Sequence, residues 1–210
     1  MAITTYSELQ SAAATWLVRG DLTARIPEFI RLAEARLNRV LRTRLSEADV
    51  ELSATVGQRA TPLPAGFTEP LRLWLAGPCE RTEVPFVEAS LIGASSLRGR
   101  PCAWTVDGST LAFDRPCDQA YDLTLRMLKA FALSDGAPTN ALLSGFPDLY
   151  LFATLCEAAP FLRDEELART YEGRLAQALL EANRQEARSR APGRLTTELP
   201  ALIGARATSC

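Results

Sequence analysis

The sequence contains no histidine, and only one of its 23 basic residues is a lysine, Lys129. Histidine is the usual general base near neutral pH, the commonest metal ligand and the partner of most serine and cysteine nucleophiles. Its absence excludes Ser-His and Cys-His catalysis. Nucleotide-binding patterns of the G-x-G-x-x-G and phosphate-loop types are also missing. We therefore expect no enzyme, no cofactor and no catalytic residues.

Cysteine is sparse, and long apolar runs are absent. The five cysteines are irregularly spaced without a C-x-x-C pair, so we expect neither a metal site nor a dithiol redox site. An odd cysteine count and an N-terminus without a secretory leader indicate reduced thiols in a cytoplasmic product. The apolar run from Leu149 to Leu162 is interrupted by Glu157 and Pro160 and is shorter than the ~20 residues that a bilayer requires. We expect no membrane span, and a helix buried on most of its surface.

The charge balance gives no reason to expect binding to nucleic acid. The formal net charge is −2 over 210 residues, of which 47% are hydrophobic, and this suits one soluble domain or a domain with an insertion. The exception is local, because seven arginines lie between Arg19 and Arg44 against the acids Asp21, Glu28 and Glu34. This face lacks interleaved aromatics and lysines, so we expect it to meet solvent or protein. Phosphate contact through Arg31 to Arg44 is the alternative.

Residues 1–47 predict two helices. Thr5 and Glu8 match a capping box at the start of the first helix. Gly20 and Asp21 separate it from a second helix that begins at Pro27. The apolar residues of the first helix are Leu9, Ala12, Ala13, Trp16 and Leu17. Those of the second, which form a seam for packing against another helix, are Ile26, Ile30, Ala33, Leu37 and Val40, with Phe29 and Leu41 beside them.

Residues 48–132 predict short strands. Asp107-Gly108 is a two-residue hairpin turn between two of them. The segment from Val87 to Leu97 predicts a short helix or a loop. Five or more strands with regular turn signals indicate a small antiparallel sandwich or barrel. The alternating apolar residues of the other strands are Val50, Leu52, Ala54 and Val56, then Leu71, Leu73 and Leu75, and finally Tyr121, Leu123, Leu125 and Met127.

Residues 133–190 return to helical periodicity. Pro147 is a favourable first helical residue, and Pro160 should kink that helix or end it near Ala159. Asp164 is a plausible N-cap for a long helix running to about Arg190. With Glu165 and Glu166, it also forms a carboxylate cluster of the kind used for acid–base or metal chemistry. A helix start explains these three acids without chemistry.

The predicted fold class is therefore α+β. A helical bundle comes from the N- and C-terminal regions, and a small antiparallel β-sandwich or barrel is inserted between them. The predicted domains are residues 1–47 and 133–190 for the bundle, residues 48–132 for the β domain, and residues 191–210 for an extended C-terminal arm. This arm is either disordered or becomes ordered by docking onto another subunit. Its apolar residues are Leu195, Leu199, Leu202 and Ile203.

Most of the chain, from about residue 4 to 185, resembles the head-to-tail adaptor (connector) proteins of tailed bacteriophages, especially those of short-tailed phages. The best-matching segments are DLTARIPEFIRLAEARLNR and TNALLSGFPDLYLFATLCEAAPFLRDE. The segments LPAGFTEP and GSTLAFDRPCDQAYDLTLRMLKAF lie between them in the expected order. These are packing motifs rather than chemical signatures.

The resemblance implies a structural virion protein at the head-tail junction. Such proteins form a homo-oligomeric ring, typically of twelve copies, that joins the portal at the capsid vertex to the tail and extends the DNA channel. The implied partners are the portal protein and a downstream tail or nozzle protein, and DNA passes without specific binding. The arm with Leu195, Leu199, Leu202 and Ile203 is the implied portal contact.

Three alternatives stay open at this point. One is another virion joining protein or interaction module, such as a stopper or tail-completion protein. Another is a histidine-free hydrolase acting through carboxylates. The last is a DNA-packaging accessory that contacts DNA through Arg31 to Arg44.

Overall fold

The computed structural model describes residues 3–41, 43–77, 81–93 and 95–190 of the chain. Within them the helices are α1 (Tyr6–Leu17), α2 (Ile26–Val40), α3 (Ala141–Gly145), α4 (Pro147–Leu162) and α5 (Glu165–Arg190), with short 3-10 helices at Gly20–Arg25 and Arg44–Ser46. The strands are β1 (Glu47–Ala54), β2 (Ala60–Pro62), β3 (Phe67–Leu75), β4 (Thr82–Val84), β5 (Trp104–Asp107), β6 (Thr110–Phe113) and β7 (Tyr121–Lys129).

Helix α4 is the centre of the bundle, where it packs against α1, α2 and α5. Nine of its 16 residues are buried, which confirms the predicted burial on most of its surface. The predicted end near Ala159 is wrong, because α4 continues through Pro160 to Leu162 and stops at Arg163, which has a left-handed backbone (φ 56°). Pro160 is exposed, so its ring does not disturb the packing of α4 against its neighbours.

The local start signals of the helices are confirmed. The Thr5 hydroxyl accepts the Glu8 N–H at 3.3 Å, and the Glu8 carboxylate accepts the Thr5 N–H at 3.1 Å, which is the predicted capping box. Asp164 caps α5, since its Oδ1 accepts the Leu167 N–H at 2.9 Å.

Two apolar residues predicted on the packed faces of α1 and α2 are exposed instead. Val40 is 52% exposed because it ends α2, and Leu41 takes the buried place. Trp16 is 45% exposed and lies at the surface of the bundle.

The seven strands form two antiparallel sheets around one apolar core. The larger sheet has the order β1-β7-β3-β4, and the smaller has the order β2-β6-β5. The sheets touch at both margins. At one, the Thr61 hydroxyl donates to the Ser53 carbonyl at 3.0 Å; at the other, the Val87 N–H donates to the Trp104 carbonyl at 2.9 Å. We call this two-sheet unit the barrel. The predicted α+β class with antiparallel sheets is confirmed.

Turn and strand ends differ in detail from the prediction. In the β5–β6 hairpin Asp107 pairs with Thr110, so the two-residue loop is Gly108-Ser109 rather than Asp107-Gly108. Of the two loop residues only Gly108 has a positive φ, 55°, as in a type II′ turn. Leu71 is 40% exposed because the register of β3 against β7 shifts between Pro70 and Arg72. Val56 is 49% exposed because β1 ends two residues earlier.

The buried apolar side chains form two separate clusters, one among the helices and one inside the barrel. The exact domain boundaries at residues 47 and 132 remain a prediction. None of the helices in the described part of the chain is long and apolar enough to cross a membrane.

Candidate interaction surface

The carboxylates singled out in the sequence have structural roles. Asp164 caps α5, and Glu165 forms an exposed ion pair with Arg169 at 3.6 Å. Another carboxylate, Asp114 after β6, accepts hydrogen bonds from the Cys102 N–H at 2.9 Å and from the Arg115 guanidinium at 2.8 Å. Burial raises the pKa of Asp114, but these hydrogen bonds together lower it by more than burial raises it, so the net shift is downward. Within residues 3–41, 43–77, 81–93 and 95–190, no cluster of acids, cysteines or histidines is arranged to hold a metal ion.

The arginines between Arg19 and Arg44 do not form one uncompensated basic face. Arg19 binds Asp21 through two hydrogen bonds of 2.8 and 2.7 Å, and Arg25 lies 3.7 Å from Glu28. Arg36 points across the bundle to acids on other helices. The Arg44 backbone N–H donates to Glu186, and Arg42 lies outside the described residues. This pairing favours a protein-facing or solvated surface over a surface for DNA.

A buried polar network joins α2, α4 and the start of α3. The Tyr150 hydroxyl donates to Glu34 Oε1 at 3.2 Å and accepts a hydrogen bond from Asn140 Nδ2 at 2.8 Å. Asn140 Oδ1 in turn caps α3 by accepting the Leu143 N–H at 2.8 Å. The local excess of arginines predicts Glu34 on the basic face, and the sequence pattern does not predict this network. The signal that was available is its spacing, because Glu34 lies four residues after Ile30 on the buried side of α2.

Burial dominates the electrostatics of this network. Burial raises the pKa of Glu34, although hydrogen bonds from the Leu133 N–H and from Tyr150 oppose the shift. Burial also raises the pKa of Tyr150, so this side chain keeps its proton and acts as a hydrogen-bond donor to Glu34. The network therefore stabilises the meeting point of three segments.

Two aromatic patches lie at the surface of the bundle. In the first, Trp16 contacts Phe152 edge-to-face with ring centres 5.8 Å apart, and Tyr171 lies 6.4 Å away. The second patch contains Phe161, which is 49% exposed, packs on Phe29 with ring centres 5.9 Å apart and lies under the Arg25 guanidinium.

The two patches lie on different sides of the bundle. Phe152 and Phe161 are nine positions apart on α4, and at 100° per residue this places them about 180° apart around the helix. Exposed aromatic side chains with neighbouring arginines are the composition enriched at protein interfaces. We define the Trp16 patch as Trp16, Phe152 and Arg174 with the buried Tyr171 beneath them, and the Phe161 patch as Phe161 and Arg25 with the buried Phe29 beneath them.

The barrel has its own exposed apolar side chains. Leu91 and Leu97 are 73% and 76% exposed in the segment between β4 and β5. The described part of this segment is a loop with one turn at residues 89–91, which agrees with the loop alternative of the prediction. The predicted arm with Leu195, Leu199, Leu202 and Ile203 lies outside the described residues.

Comparison with known proteins agrees with a structural role. No curated protein matches the chain. A family model described as SU10 adaptor protein matches residues 4–197, which is nearly the whole chain. The match includes the bundle, the barrel and both aromatic patches. The chain therefore belongs to the SU10 adaptor protein family, a family of phage head-tail adaptors.

Proposed function

We propose that the protein forms a ring, of twelve copies, that joins the portal at the capsid vertex to the tail and extends the DNA channel. The observation that carries this proposal is the family match over residues 4–197. The ring, its copy number, the short-tailed type of phage and the portal and tail or nozzle partners are all parts of the proposal. The protein acts by holding these partners together, and no bond is made or broken.

The two aromatic patches support an assembly built from repeated side-by-side contacts. In a closed ring, each subunit presents one surface to the neighbour on one side and a different surface to the neighbour on the other. The Trp16 patch and the Phe161 patch lie on different sides of α4, as such heterologous contacts require. We therefore assign them to the lateral contacts between subunits.

The charge distribution supports a channel through which DNA passes without specific binding. A protein binds DNA more tightly the more phosphates its basic side chains neutralise. The chain has a net charge of −2, and Arg19, Arg25 and Arg36 are engaged by acids of the same chain. The DNA-packaging alternative is tested by replacing Arg31 and Arg39 with glutamine. Retention on DNA that disappears in this variant favours that alternative.

The test of the main proposal is the native mass of the protein, first alone and then with its portal protein. We expect a monomer of 22.9 kDa alone and a ring of adaptor copies on the portal. Failure to bind the portal contradicts the proposal. Binding only to a portal that already carries another adaptor ring identifies a stopper or tail-completion protein instead.

The proposed portal contact is the arm, residues 191–210. In the full-length protein, replacing Leu195, Leu199, Leu202 and Ile203 with serine should abolish portal attachment. The circular dichroism spectrum of the variant is the control for folding and should stay unchanged. Replacing Thr196 and Thr197 with serine is the matched control, which should bind normally. Normal attachment of the fourfold variant refutes the role of the arm.

A further inference from the structure

The barrel is attached to the bundle by two chain connections that lie side by side. One precedes β1 and the other follows β7, and Glu47 at the start of β1 is paired directly with Leu128 near the end of β7. Both connections therefore enter the barrel at the same point. Adjacent connections allow the barrel to rotate about the line that joins them, whereas widely separated connections would hold the barrel in one orientation.

The boundary between the two parts at the second connection is a single peptide. The Ala130 N–H makes the last hydrogen bond to the barrel, to the Gly66 carbonyl at 2.8 Å. The backbone N–H and carbonyl of the next residue, Phe131, are both bound by α2. Its N–H donates to Asn38 Oδ1 at 2.8 Å, and its carbonyl accepts from Asn38 Nδ2 at 2.9 Å. One side chain thus satisfies both backbone groups of the residue that follows β7.

Next to Asn38 the two parts are in contact, because Leu41 lines the same narrow space, of about 10 Å³, as Glu69 and Leu128 of the barrel. Farther from Asn38 the boundary is open. A cleft of about 590 Å³ separates the barrel from α5, with Leu45, Glu47, Arg126, Phe146 and Gln185 in its walls. A second cleft, of about 370 Å³, lies beside residues 45–48 and 129–132. The buried apolar clusters of the bundle and the barrel have no residue in common. Relative motion is the default where the interface between two parts is small and polar.

We propose that the barrel pivots as a body against the helical bundle about these two connections, and that Asn38 is the pin that holds it at the observed angle. Strand β7 pairs with both β1 and β3, so fixing Phe131 fixes the central strand of the larger sheet. Rotation about the axis leaves both apolar cores intact. The two hydrogen bonds between Asn38 and Phe131 oppose this rotation. In an assembled ring, and thus resting on the proposed function, this pivot lets each barrel adjust to the tail protein below.

The experiment measures residual dipolar couplings of backbone amides in the isolated full-length chain, so it does not depend on ring formation. In the unmodified protein, couplings from bundle and barrel should fit one alignment tensor. In Asn38→Ala they should require two, while chemical shifts inside each part stay native. Exchange of the Phe131 amide should accelerate by about fivefold, the order expected for losing a ~1 kcal/mol hydrogen bond. Asn183→Ala, on the exposed side of α5, is the matched control and should keep one tensor.

Two results overturn the proposal. If Asn38→Ala still fits one tensor, Asn38 is not the pin. If the unmodified protein already requires two tensors, the barrel moves without release of Asn38. Should Asn38→Ala fail to fold, Asn38→Asp retains the acceptor for the Phe131 N–H and lacks the donor. The couplings of Asn38→Asp should then require two tensors, and a fit to one tensor counts against the proposal.

Discussion

Arg36 of α2 binds Glu172 of α5 through two parallel hydrogen bonds of 2.8 and 2.7 Å, and reaches Glu157 of α4 at 3.5 Å. One guanidinium therefore joins the three longest helices of the bundle. The hydrogen bond from Arg36 lowers the pKa of Glu172, although partial burial opposes the shift. Bidentate pairs of this kind are the stronger class of charged hydrogen bond.

Arg36→Met should lower the free energy of unfolding by about 1 kcal/mol, because the pair is bidentate but partly exposed to solvent. A carboxyl whose folded pKa is lowered stabilises the fold above its unfolded pKa, and this contribution disappears as the pH falls through the folded pKa. The difference between variant and parent should therefore shrink in acid. Urea unfolding at pH 7 and pH 3 measures both effects. Arg39→Met, on the exposed side of α2, is the control and should differ by less than about 0.5 kcal/mol. Equal losses in the two variants contradict a specific role for Arg36.

Glu34→Gln should make the bundle less sensitive to pH. Because burial raises the folded pKa of Glu34, folding favours its neutral form. The contribution of this group is complete below its unfolded pKa and is lost as the pH rises through the folded pKa. The parent should thus lose stability across this interval, and a glutamine that cannot ionise should not. Thermal unfolding from pH 4 to pH 8 tests this, with the exposed Glu28→Gln as control. Parallel curves for parent and Glu34→Gln would count against it.

Tyr150→Phe should destabilise the protein by about 1–3 kcal/mol, since the hydroxyl that joins Glu34 to Asn140 disappears while both partners stay in place. Urea unfolding is the measurement. Tyr121→Phe is a matched control, because its hydroxyl binds Asp118 at an exposed site. That change should cost less than about 0.5 kcal/mol. If the two variants lose the same amount, the buried network contributes no more than a surface hydrogen bond.

Local signals made much of the fold predictable. The capping box of Thr5 and Glu8, and the N-cap Asp164, each act within four residues, so short sequence windows contain the whole cause. Alternation in β7 predicted the buried residues Leu123, Leu125 and Met127 for the same reason, but it missed Thr124 and Leu128, which are also buried. The errors fall where a distant contact decides the outcome. Leu71 is exposed because β3 shifts register against β7, and Trp16 stays at the surface although its spacing suits the core.

The candidate surface was less predictable than the fold. The Glu34–Tyr150 hydrogen bond joins residues 116 positions apart, and the Asn38–Phe131 pair joins residues 93 positions apart. Neither pair produces a periodic pattern, so pattern reading assigned Glu34 by its charge alone. The aromatic patches had a visible composition, but their placement on different sides of α4 depends on how α1, α2 and α5 pack around it.

The described cysteines should differ in reactivity. Burial raises the pKa of Cys156 to about 12 and that of Cys117 above its ordinary value. Since the thiolate is the reactive form, only a small fraction of each of these two thiols is ionised and reactive at pH 8. Cys102 is exposed. Iodoacetamide at pH 8 followed by peptide mass spectrometry should find Cys102 modified, and Cys117 and Cys156 modified only after denaturant is added. Early modification of Cys156 shows that the bundle opens under native conditions.

Gly108→Ala should lower stability by about 1–2 kcal/mol, although nothing lies within 4 Å of the position that a Cβ would take. The cause is the backbone, because φ is 55° at the first central residue of the β5–β6 turn. Gly20→Ala isolates this effect. Its Cβ would also meet open space, but Gly20 lacks a positive φ, so the change should be neutral or slightly stabilising. Thermal unfolding of both variants gives the comparison. A Gly108 variant as stable as the Gly20 variant means that the turn relaxes, and then β5 and β6 should show shifted amide resonances. Unchanged resonances together with unchanged stability contradict the assigned type II′ turn.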